Sequence, residues 1–124
     1  MNSTDETAGA LLISADLFFS TKVTGTATQL GLFVDVVGDV ARAVAKLKGK
    51  AYGCVIIDLS TPALDVAEVM SARTDKDNCP VIAFGPHVLT ARLNEAREAG
   101  CDEVMPRSKF SAVLPEILAR YVVN

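Results

Sequence analysis

Apolar residues fall along the chain in short blocks separated by polar punctuation, and the blocks are of two kinds. The first kind is a near-continuous aliphatic run, found at residues 10–15, 32–37, 54–58, 80–84 and 101–106. Such runs read as strands buried on both faces, the mark of a parallel sheet. The last run is less apolar at its start, which places it nearer a sheet edge. The second kind has helical spacing. Residues 17–30 are predicted as a helix in spite of a threonine content that lowers its propensity, and Gly31 ends it. Asp39 is positioned to cap a helix over 40–48, with Val40, Ala41, Val44 and Leu47 on one face and Gly49 closing it.

Pro62 stops the central strand and suits the first turn of a helix over 62–73, whose apolar positions are Leu64, Ala67, Val69 and Met70. A charged loop over 75–78 follows. Gly85-Pro86 breaks the fourth strand. Leu89, Leu93 and Ala96 recur at i, i+4 and i+7 in a helix over 89–99, with Gly100 as its cap. The last helix spans 111–122, with Pro115 in its first turn, where a missing N–H is tolerated.

Strand and helix therefore alternate five times. Such alternation implies an α/β fold with a parallel sheet and helices on both faces, and right-handed crossovers leave few topologies. The central run, Val55-Ile56-Ile57, ends in a single carboxylate, Asp58. Asp58 is thereby placed at the C-terminal end of a central strand, the edge at which open α/β sheets bind ligands. A carboxylate there is either a functional group or a helix cap.

Composition narrows the choice. The chain of 124 residues suits one domain, placed at 10–124 after a small, polar, flexible tail over 1–9. A formal net charge of −3, with no basic block, argues against nucleic acid. No apolar run reaches the length of a membrane span, and the start lacks a signal peptide's basic residues. Cys54, Cys79 and Cys101 form neither a CxxC pair nor a metal-binding spacing. An odd number of thiols suits a reduced, cytoplasmic protein.

At the level of motifs, Tyr52-Gly53-Cys54-Val55-Ile56-Ile57-Asp58-Leu59-Ser60-Thr61-Pro62 resembles the phosphoacceptor strand and loop of response regulator receiver domains. Ala96-Arg97-Glu98-Ala99-Gly100-Cys101-Asp102-Glu103 resembles the same family's junction into its last strand. The order and spacing of all ten elements agree over residues 11–122. The resemblance implies a flavodoxin-like three-layer sandwich with strand order 2-1-3-4-5. It also implies a non-enzymatic signalling module of two-component phosphorelay type.

The resemblance further implies a site. Asp58 matches the phosphoacceptor. The acid pair that helps hold Mg²⁺ reads Ala15-Asp16, so Asp16, Asp58 and the Ser60 backbone carbonyl form a metal set weakened by Ala15. A hard dication prefers oxygen ligands and neutralises phosphoryl charge. The hydroxyl residue ending the fourth strand is replaced by Gly85. The lysine position holds Arg107, with Lys109 nearby, and the switching aromatic is replaced by Val104. Arg107 keeps the charge but not a lysine's point geometry. An atypical receiver with impaired phosphorylation and weak Mg²⁺ binding follows, acting through protein contacts with a histidine kinase or output protein.

The resemblance also implies a homodimer or partner face on the fourth helix, fifth strand and last helix, carrying Arg92, Arg97, Asp102 and Glu116. Two other readings stand beside it: a working receiver that is phosphorylated on Asp58, and a small flavodoxin-like cofactor binder or enzyme. Bland roles are open too. Asp16 and Asp58 suit turn or capping carboxylates, and Arg107 suits a simple ion pair with Asp58. His87 reads as surface, and the segment from Lys22 to Ala27 reads as helix rather than a phosphate loop. Neither a Walker loop nor a dinucleotide fingerprint is present.

Overall fold

The computed structural model describes residues 9–122. Its strands are β1 (Ala10–Ile13), β2 (Val34–Val37), β3 (Cys54–Asp58), β4 (Val81–Gly85) and β5 (Glu103–Pro106). All pair in parallel, in the order β2-β1-β3-β4-β5, which is the expected 2-1-3-4-5. The helices are α1 (Leu17–Gln29), α2 (Val40–Gly49), α3 (Val66–Ala72), α4 (Thr90–Glu98), α5 (Arg107–Ala112) and α6 (Leu114–Tyr121). A short 3₁₀ turn, Lys76–Asn78, lies in the expected charged loop.

Alternation along each strand sends its side chains to two cores. Leu12, Ile56, Ile82 and Phe84 pack under α1, α5 and α6. Leu11, Ile13, Val55, Ile57, Val81 and Ala83 pack under α2, α3 and α4. β1, β3 and β4 are buried throughout, which is why their sequences are unbroken aliphatic runs. No helix among the described residues is long and apolar enough to cross a membrane.

Most of the expected tail lies outside the described residues, but Gly9 belongs to the fold. It is buried, with φ of +61°, and its carbonyl accepts the Gly53 N–H at 2.9 Å. A Cβ at this position would come within 2.7 Å of the Phe33 ring. Left-handed backbone and a crowded neighbour both require glycine here.

Four expectations need correction. The third helix begins not at Pro62 but at Val66, because Ala63 takes a left-handed φ of 53° and Asp65 supplies the cap, accepting the Glu68 N–H at 3.1 Å. In α2 the buried residues are Ala43 and Leu47, whereas Ala41 is exposed. The last helix is two helices that meet at Val113. Pro115 has no N–H to continue the ladder from α5, yet it fits the first turn of α6. Helix α5 opens at Arg107 rather than at the expected 111, while the strand before it ends at Pro106 as expected.

Candidate functional site

β1 and β3 pair Ile13 with Ile57, so the residues that follow them, Ser14 and Asp58, emerge side by side at the C-terminal edge of the sheet. Asp58 is 1% exposed. A buried carboxylate is tolerated when donors surround it, and three do. The Ser14 hydroxyl donates to Oδ2 at 2.7 Å. The Ser60 N–H and hydroxyl both donate to Oδ1, at 3.0 and 2.6 Å. Ser14 also accepts the Asp16 N–H at 3.1 Å, which fixes the turn out of β1. The Asp58 carbonyl accepts the Thr61 N–H at 3.0 Å, while the buried Thr61 hydroxyl has no partner among the described residues.

Asp16 does other work. One carboxylate oxygen caps α1 by accepting the Phe19 N–H at 3.0 Å. The other accepts Nη2 of Arg107 at 2.5 Å. The Arg107 guanidinium also lies 4.5 Å above the Phe19 ring, a cation–π placement. Phe19 belongs to a buried triad in which Phe84 stacks on Phe110 at 4.3 Å. The expected Arg107–Asp58 pair is therefore replaced by Arg107–Asp16. The Arg107 hydrogen bond, helped by the Phe19 N–H, holds the Asp16 carboxyl below its ordinary value.

A depressed pKa adds stability that is complete above the unfolded value, near 3.8, and is lost as pH falls through the folded one. Arg107→Gln is expected to remove much of that pH dependence. Urea midpoints of variant and wild type should then differ at neutral pH and converge in acid. A difference that persists unchanged in acid would contradict the pairing. Asp16→Asn, which keeps a capping oxygen, should behave like Arg107→Gln.

The remaining site residues divide. Ser60, expected to lend a carbonyl, turns its N–H and hydroxyl onto Asp58. Ala15 is exposed. Gly85 ends β4 and is buried, and a Cβ there would meet Leu59 Cβ at 3.1 Å. Leu59, 1% exposed, thus fills the space above Gly85. Its carbonyl accepts Nη1 of Arg92 at 2.6 Å, which ties α4 to the loop after Asp58. Val104 packs against the core beneath α2, α3 and α4. Sequence reasoning missed Ser14 and Leu59, and it placed Arg92 on the partner face without its bond to the Leu59 carbonyl. Only Ser14 left a signal, as the hydroxyl residue in the otherwise apolar first run.

The donor set does not suit a hard dication. Asp58 faces hydroxyls rather than a second carboxylate, and Asp16 is spent on Arg107 and a helix cap. No cluster of three or more His, Cys, Asp or Glu able to hold a metal occurs among the described residues. The three cysteines are unbridged, and burial pushes the Cys54 thiol up to about 12 and those of Cys79 and Cys101 to about 11. Such thiols are poor nucleophiles at neutral pH.

No protein-family model and no curated protein matches the sequence. Solved structures do match. The receiver domain of the sensor histidine kinase PA1611 from Pseudomonas aeruginosa PAO1, which holds a magnesium ion in its active-site cleft, aligns with a TM-score of 0.76 at 23% identity, over 90% of this chain and 94% of that one. The chemotaxis response regulator CheY4 of Vibrio cholerae gives 0.75 at 18% identity, over 94% and 99% of the two chains. HP1043, an orphan response regulator of H. pylori, gives 0.69 at 17%, over 90% and 94%. At these identities the likeness speaks for the backbone and leaves the site to its own residues. The strand order, the helices on both faces and the alignment along nearly the whole chain make this the flavodoxin-like fold of response regulator receiver domains.

Proposed function

We propose that the chain is a receiver-like signalling domain of two-component phosphorelay type, not an enzyme, in which phosphorylation of Asp58 is impaired and the output is protein–protein contact. The observation that carries this is the closure of Asp58 by Ser14 and Ser60. Attack on a phosphoryl group needs an oxygen lone pair free to reach phosphorus and cations to offset the charge. Here both oxygens accept charge-assisted hydrogen bonds within the chain, and the cation at the lysine position, Arg107, is paired with Asp16. A working receiver is the second reading, favoured by the position of Asp58 at the end of β3.

The partner is a histidine kinase or an output protein, met on the face of α4, β5 and α6. Three of the four charges assigned to that face are hydrogen-bonded within the chain. Arg92 donates to the Leu59 carbonyl, Asp102 accepts the Val81 N–H at 2.8 Å, and Arg97 donates to Asn94 Oδ1 at 2.9 Å along the exposed side of α4. Arg97 and Glu116 are exposed and carry the contact. A homodimer on the same face is the other arrangement the resemblance implies. The three unbridged thiols support a cytoplasmic setting, and the net charge of −3 disfavours nucleic acid.

Mg²⁺ binding supplies the test. Amide shifts around Ser14, Asp58 and Ser60 are expected to stay far from saturation at physiological Mg²⁺. In the double variant Ser14→Asp, Ala15→Asp, two hard oxygens and two charges are added. Affinity should rise at least about tenfold, or ~1.4 kcal/mol, and acetyl phosphate should label Asp58 faster. Near-saturation of the wild type, or its ready labelling by acetyl phosphate, would favour the working receiver.

A further inference from the structure

Two unpartnered surfaces lie on opposite faces of the sheet. The first is at the start of α1, where Leu17 is 82% and Phe18 93% exposed. Exposed apolar pairs of this size are unusual on a monomer and mark contacts. Lys22 follows Phe18 by one helical turn on the same side of α1, and it makes no ion pair among the described residues.

The second surface is a groove of ≈ 640 Å³ between α3 and α4. It exists because the chain from Pro62 to Asp65 is not helical, so α3 is short and packs on α2. Its volume is that of a ligand cleft. Leu59, Leu64, Val66 and Ala91 give it apolar walls, with the carboxylates of Asp65 and Glu95 alongside. The one cation in the lining, Arg92, is directed at the Leu59 carbonyl. Neither acid has an ion-pair partner among the described residues.

An apolar knob with one cation thus meets an apolar hole whose two anions outnumber its single cation, Arg92. We propose that the occupant of the α3–α4 groove is a second copy of this chain, seated through Leu17, Phe18 and Lys22. α1 packs on one face of the sheet and α3 and α4 on the other, so the knob and hole of one copy point in different directions. Each contact is head-to-tail, and successive copies form a chain or a ring. The association needs nothing from Asp58 and differs from a dimer on the α4, β5 and α6 face.

Sedimentation of the full chain over a concentration series tests this. The weight-average mass of the wild type should rise with concentration, less so at high salt. Phe18→Asp spoils the knob and Glu95→Lys spoils the hole. Both positions are exposed, so folding is not at risk, and each variant should weaken association at least about tenfold. Mixed in equal amounts, the two variants should form a heterodimer, because one retains an intact hole and the other an intact knob. A second readout is charge exchange, in which Lys22→Glu combined with Glu95→Lys restores the association that each change alone weakens. A wild type that stays monomeric at every concentration overturns the proposal. So do variants that associate like the wild type, a mixture that stays monomeric, or association abolished by Glu116→Arg alone.

Discussion

Phe84→Ala is expected to lower folding stability by about 3–5 kcal/mol, the range for emptying a buried aromatic site. Phe84 is fully buried and stacked on Phe110, and its ring centroid lies 4.9 Å from that of Phe19. Truncation removes transfer energy and leaves a void between β4 and two helices. It also removes aromatic contacts worth roughly 0.5–1.5 kcal/mol beyond area. The effect reaches the site, because Phe19 is the surface on which Arg107 lies. A looser Phe19 should weaken the Arg107–Asp16 pair, so the acid dependence described above should flatten as well. Phe18→Ala, one position away but exposed, should change stability by no more than about 0.5 kcal/mol. Urea midpoints measure both. A loss below about 1 kcal/mol for Phe84→Ala would mean that the triad is not the keystone of this face.

The second large effect concerns Gly85. Adding the side chain that receivers usually carry there should destabilise the protein rather than repair it. Gly85→Thr places Cβ 3.1 Å from the Leu59 Cβ, with Cγ and Cδ1 close behind. Overpacking of this kind costs about 1–3 kcal/mol. Leu59→Ala alone should cost about 2–5 kcal/mol, because Leu59 is buried. The double variant should cost clearly less than the sum, since each change makes room for or fills the space of the other. A double-mutant cycle in urea reads this coupling directly, and strict additivity would contradict it. Leu59 occupies the space above Gly85, and Arg92 holds the Leu59 backbone.

How far the sequence leads depends on the range of the interaction. β1, β3 and β4 were readable because strands buried on both faces admit only apolar residues, and the family likeness supplied their order. The Asp39 cap was readable because capping acts over three residues. The start of α3 was not, since Pro62 carries a helix-start signal that a left-handed Ala63 overrides. The position of Asp58 followed from the end of an apolar run. Its partners did not, because which residue of β1 lies beside it depends on strand register. One residue of register separates Ser14 from Ala15, and it decides that a hydroxyl rather than a methyl group from β1's end reaches Asp58. The choice of Asp16 by Arg107 spans 91 residues and depends on where α5 begins. The fit of Leu59 over Gly85 exists only in packing.

We propose that a phosphoryl group on Asp58 would not be coupled to the rest of the fold. A phosphoryl group shifts a conformational equilibrium only through contacts that differ between its two states. Here Gly85 has no hydroxyl to be drawn in, and Val104 is packed and has no ring to follow. Backbone amide shifts recorded before and after saturating beryllofluoride with Mg²⁺ test this most directly. The expected result is no binding, or changes confined to the surroundings of Ser14, Asp16, Asp58 and Arg107. Large changes running through α4 and β5 would show a working switch and contradict the claim.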